Sequence, residues 1–157
     1  MKRYLSLTMV FLLIMVCQLF AAGSSSRITD QQNYIERDDR KKVITISWVA
    51  DNTTGSVPNL TIDVNLYGIE GWYLYSAETN PGTTAPTDNY DIVINDTEGV
   101  DIAGSLLNNR DETNTELVLI GTASHGFPVV KGNLTFSLSN NSVNSATGTL
   151  ILIFISN

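Results

Sequence analysis

The sequence predicts an all-β protein, an antiparallel β-sandwich of about seven strands, and three observations carry that reading. Past Lys42 the apolar residues recur with period two, turn residues separate the short runs, and no segment of useful length repeats with a helical period. A strand with one apolar and one polar side has only one face to bury, so two such sheets must pack face to face. With 157 residues, 43% of them apolar, the chain is long enough for one domain with a real core and too short for two ordinary ones.

Ahead of that domain, Lys2 and Arg3 precede an apolar stretch over residues 5–20, and the small residues Ala21, Ala22 and Gly23 follow. These are the three parts of a secretory signal, with cleavage expected after Gly23. The uninterrupted apolar run over residues 9–17 is short against the roughly 20 residues that a membrane-spanning helix takes, so no stable membrane span is expected once the signal is cleaved. Lipid attachment at Cys17 is disfavoured because Ile14, Met15 and Val16 are bulky where such a signal carries small residues. The mature chain then has no cysteine, and its expected location is secreted, periplasmic or extracellular. A virion location is expected instead if the signal is not processed.

Residues 24–42 are polar and charged, with Ile28, Tyr34 and Ile35 as their large apolar members, and read as an arm. Thr29 and Gln32 have the spacing of a capping box, which allows a short surface helix there. The sandwich is expected over residues 43–157. Ile44, Ile46 and Trp48 alternate with Thr45 and Ser47, and Leu60, Ile62, Val64 and Leu66 alternate with Thr61, Asp63 and Asn65. Gly68 and Glu70-Gly71 punctuate the chain before Trp72-Tyr73-Leu74-Tyr75, the third strand. A loop rich in Thr, Pro and Ala opens at Asn80-Pro81-Gly82, and Tyr90, Ile92 and Ile94 mark the fourth strand. Residues 116–122, 129–138 and 147–155 complete the seven.

The last strand breaks the alternation. Leu150-Ile151-Leu152-Ile153-Phe154-Ile155 is apolar on both faces, although a sandwich strand normally shows one face to water. Leu150, Leu152 and Phe154 or Ile151, Ile153 and Ile155, whichever set is not in the core, should therefore meet loops, the arm or a second subunit; as an edge the strand would aggregate. A homo-oligomer, or assembly with other structural proteins, is the partner expectation.

Charge and composition narrow the chemistry. The chain carries 9 basic and 16 acidic residues, and past Trp48 only Arg110 and Lys131 are basic, so a phosphate-tracking surface for nucleic acid is excluded. One His and one Cys supply neither a thiolate and imidazole metal site nor a disulfide framework. His125 stands beside Ser124 in a Gly/Thr/Ser/Pro loop, with no third group placed to orient it and no nucleophile-elbow turn. No catalytic residue and no cofactor is assigned. Asn95, Asp96, Glu98 and Asp101 form the densest acidic cluster; calcium takes oxygen ligands from such loops, but the twelve-residue calcium-loop spacing is missing and turn chemistry explains the segment.

Tyr67, Trp72, Tyr73 and Tyr75 put aromatic rings near both sides of one hairpin. Stacked sugars would suit them, so a secreted carbohydrate-binding module is the alternative reading; core and strand packing is the commoner use of such residues. Pro81 and Pro86 stiffen the loop that Asn89 and Tyr90 end, making it a shaped contact loop. Arg110 is expected to hold a loop through a bidentate pair with Asp101 or Asp111. Sequons occur at Asn52, Asn59, Asn95, Asn133 and Asn140, close to what so many Asn, Ser and Thr residues give by chance.

The segment Thr79-Asn80-Pro81-Gly82-Thr83-Thr84-Ala85-Pro86-Thr87-Asp88-Asn89-Tyr90-Asp91-Ile92 resembles a family of small β-rich proteins encoded among the structural genes of tailed phages and prophages. Asp96-Thr97-Glu98-Gly99-Val100-Asp101-Ile102-Ala103-Gly104 looks like that family's acidic turn, and Leu107-Asn108-Asn109-Arg110-Asp111 like its N-R-D segment. Ile44-Thr45-Ile46-Ser47-Trp48 and Pro128-Val129-Val130-Lys131-Gly132-Asn133-Leu134-Thr135 also fit. The resemblance implies a virion-associated structural or decoration role without a known reaction or cofactor. The signal and the arm depart from the family's pattern, which leaves a secreted relative open. The expectation is thus a non-enzymatic structural or interaction protein. Mass spectrometry of the exported product should find an N-terminus between Ala22 and Ser26, and an intact Met1 form in the cytoplasm would refute processing.

Overall fold

The computed structural model describes residues 23–29, 40–121 and 126–156, so the signal segment, Cys17, Ser124 and His125 lie outside the described residues. Eight strands appear: β1 (Ser24–Thr29), β2 (Lys41–Val49), β3 (Leu60–Ile62), β4 (Tyr73–Pro81), β5 (Asp91–Asn95), β6 (Glu116–Leu119), β7 (Leu134–Ser139) and β8 (Thr147–Ile155), with one helical turn, α1 (Val64–Tyr67). They form a five-stranded sheet in the order β1-β2-β8-β4-β6 and a three-stranded sheet in the order β3-β7-β5, antiparallel throughout. The fold is the all-β sandwich that the period-two pattern predicts.

The inner sides of both sheets meet in one core. Ile44, Ile46 and Trp48 from β2, Ile92 and Ile94 from β5, Leu134 and Phe136 from β7, and Leu150, Leu152 and Phe154 from β8 are all buried. Each large side chain withdrawn from water there contributes about 2 kcal/mol. The last strand lies in the middle of its sheet rather than at an edge. Its nine residues pair with all nine of β2 on one side and with β4 on the other. A strand flanked on both sides has its outward residues partly covered by neighbours, so Ile151, Ile153 and Ile155 are half-buried rather than bare.

Several boundaries differ from expectation, each for a local reason. Residues 24–29 of the polar arm form β1, which extends the sheet in its own plane beyond β2 and needs little more than backbone pairing to do so. The predicted second strand stops at Ile62 because the Asp63 carboxylate accepts the Asn65 and Leu66 N–H groups at 3.0 and 3.3 Å and starts α1 instead. Gly68, at φ 60°, ends that turn. Strand β4 runs on to Pro81 through Ser76 and Thr79, polar residues that the sheet buries and that hid the apolar pattern. Gly132, at φ 70°, bends the chain ahead of β7, leaving Val129 in an isolated bridge with Tyr73.

Trp48 packs close against both an aromatic ring and a glycine of β8. Its indole tilts against Tyr90 at a centroid distance of 6.0 Å, and a Cβ at Gly148 would stand 2.4 Å from its Cζ2. Gly148→Ala should therefore lower stability by about 2 kcal/mol, read as an earlier midpoint in denaturant titration; an unchanged midpoint would mean that the indole has room to move.

Candidate interaction surface

Residues opposite one another in a sheet share a face, and two such rows cross the outer side of the five-stranded sheet. One row contains Val43 of β2, Ile153 of β8, Ser76 of β4 and Leu119 of β6; the next contains Thr45, Ile151, Glu78 and Leu117. Leu117 and Leu119 are 63% and 56% exposed, and Val43 is 38% exposed. Leu150, Leu152 and Phe154 are the core set of β8, which leaves Ile151, Ile153 and Ile155 as the outward one. Sequence reading identified the β8 stripe but missed Val43, Leu117 and Leu119, because two leucines in a four-residue run do not say which side is wet.

The loop after β4 is held rather than loose. Gly82 N–H donates to Thr147 O at 2.7 Å, Thr147 N–H to Thr84 O at 2.9 Å, and Thr87 N–H to Asn141 Oδ1 at 2.9 Å. Asn141 reaches on to Gly55 O at 2.7 Å, tying three loops at one end of the sandwich. Pro81 is half-buried and Asn89 is exposed at φ 62°. Pro86 and Tyr90 are buried, so they shape the loop from inside instead of offering contacts. Burial pushes the Tyr90 hydroxyl up to about 12.

Trp72, Tyr73 and Tyr75 are each half-buried. The Lys42 ammonium lies 4.6 Å above the Trp72 ring while donating to Tyr67 O at 2.9 Å and Gly68 O at 2.7 Å, so it closes the end of α1 and covers one face of the indole. Tyr75 packs against Phe127 at 5.0 Å.

The acidic segment serves its own turns. Asp96 Oδ1 accepts the Glu98 and Val100 N–H groups, both at 2.9 Å. Asp101 accepts Ile94 and Ala103 N–H through one oxygen and Ser105 N–H at 2.7 Å through the other. Asp51 does the same for Thr53 and Thr54, and the Thr53 hydroxyl and these N–H groups hold its carboxyl down at about 2. Among the described residues no three His, Cys, Asp or Glu side chains come together as metal ligands. An open groove of about 620 Å³ runs between this segment and residues 126–131, lined by Val100, Leu106, Ile120, Val129 and Lys131 among others.

Arg110 holds a loop, but through different partners from those expected. Nε and Nη2 donate to Asn108 O at 3.2 and 3.0 Å, and Nη1 lies 3.4 Å from Glu116 Oε2, which also accepts Asp111 N–H at 2.8 Å. Asp101 and Asp111 are not its partners because turn N–H groups already fill them, Asp111 taking Thr113 and Asn114 at 2.6 and 2.7 Å. The Asn114 side chain and these N–H groups keep the Asp111 carboxyl below its usual range.

No protein-family model and no curated protein matches the chain. Among solved structures, a chain of the cyanophage Pam1 capsid asymmetric unit is similar at 12% identity and a TM-score of 0.43, over 84% of this chain and 94% of that one.

Arg110→Met should leave Glu116 and Asn108 O without their cation and destabilise the fold by about 2 kcal/mol, with faster amide exchange across residues 107–111. Unchanged exchange there would show that the backbone pairs between Tyr90 and Arg110 suffice.

Proposed function

We propose that the chain is a non-enzymatic structural protein that works by assembling with other subunits, as a virion-associated or decoration protein does. The observation behind this reading is the outer side of the five-stranded sheet, where Val43, Leu117 and Leu119 stay exposed beside the half-buried Ile151 and Ile153. Exposed aliphatic side chains joined across strands are the usual mark of a surface that another protein covers. The polar groups are consistent with this, since Asp96, Asp101 and Asp111 each hold a local turn. The likeness of the segments around Pro81, Asp101 and Arg110 to the phage family supplies the virion part of the reading.

Density-gradient fractionation of a producing culture tests it. The chain should band with particles at a fixed ratio to their main subunit. A chain found only free, and monomeric by sedimentation at every concentration, would overturn the assignment.

A further inference from the structure

We propose that two copies of this chain join their five-stranded sheets edge to edge through β6, around a two-fold axis at Val118. The inference rests on the assembly reading above and names the partner and the contact. A free strand edge is a row of unpaired N–H and C=O groups, and folded proteins usually blunt it with Lys, Pro, a bulge or a covering segment. The edge of β5 is covered by its own chain, through Ile92 N–H to Leu107 O and Ile102 N–H to Ile94 O. Strand β3 has three residues, and β1 is a Ser and Arg strand. The edge of β6 is short too, at four residues, but it carries no Lys, Pro, bulge or covering segment: it reads Glu-Leu-Val-Leu, its one charge is turned to Arg110, and no partner lies on its outer side among the described residues.

The backbone sets the register. Ile120 N–H donates to Tyr75 O at 2.9 Å, so by strand alternation Val118 also directs its backbone groups at β4, while those of Leu117 and Leu119 point to the open edge. A two-fold axis at Val118 places Leu117 of each copy opposite Leu119 of the other, matching outward N–H with outward C=O. All four leucines then fall on the outer face, where they are now exposed. A slip by one residue would set Leu117 opposite Val118, whose side chain belongs to the other face, so the sheet cannot continue in that register. Four paired residues bury less than the roughly 1,000 Å² of a stable interface, so this contact alone gives a weak, concentration-dependent dimer.

Cross-linking tests the register in the full chain carrying Cys17→Ser. Val118→Cys faces itself across the axis and should oxidise to a disulfide dimer, as should the double variant Leu117→Cys/Leu119→Cys, while Leu119→Cys alone should cross-link at least roughly tenfold more slowly. Sedimentation equilibrium supplies the second measurement. Leu117→Pro removes only an outward N–H, and Leu117→Lys/Leu119→Lys changes only exposed side chains, so each should weaken association at least roughly tenfold with an unchanged circular dichroism spectrum. Equal cross-linking at all three positions, or association that neither variant weakens, overturns the β6 contact and leaves the assembly reading standing. A wild-type chain that stays monomeric at every concentration overturns the β6 contact too, and particle banding then decides the broader reading separately.

Discussion

Strand β8 is the constraint on which the rest of the structure depends. It is paired along its whole length with β2 and over residues 148–155 with β4, so the positions of both follow from it, and through them those of β1 and β6. Its two apolar faces have different fates. The Leu150, Leu152 and Phe154 side fills the core against the three-stranded sheet, and the isoleucine side is left half-buried on the outer face. A strand of this composition is tolerable in water only with a neighbour on each side, and the topology provides both.

The parts of the fold that burial dictates were readable in advance. Ile44, Ile46, Trp48, Ile92 and Ile94 alternate because one side of each strand faces the other sheet, and those residues are in the core. What escaped the pattern was decided by backbone and polar groups, which leave no hydrophobic period. Asp63 diverted a promising alternation into α1, Ser76 and Thr79 concealed half of β4, and β1 joined the sheet with hardly any apolar residue to announce it. The candidate interaction surface was half legible for the same reason. The isoleucines of β8 stand out in any hydropathy reading, whereas the exposure of Leu117 and Leu119 follows from β6 being at an edge, a fact of strand order that no local segment encodes.

The acidity of the chain also has a structural account. Asp51, Asp63, Asp96, Asp101 and Asp111 each accept backbone N–H groups two to four residues ahead, so they act as turn formers whose charge is a by-product of that geometry. Arg110 and Lys42 answer carbonyl groups as much as carboxylates: one closes the loop at Asn108 and the other the end of α1. The Lys42 ammonium that serves α1 also lies over the Trp72 indole, so this one cation joins the helical turn to the aromatic cluster.

The order in which the strands are made has a further consequence. The middle strand of the larger sheet, β8, follows every other described strand, and its partner β2 lies about 100 residues earlier in the chain. During synthesis β2 and β4 have no strand between them, so the five-stranded sheet closes only when the C-terminal strand arrives. Contacts of such long range are slow to form, so closing the larger sheet is a late step of folding. Until β8 is in place the Leu150, Leu152 and Phe154 side of the core is missing, so the larger sheet and the core beneath it are completed in the same step.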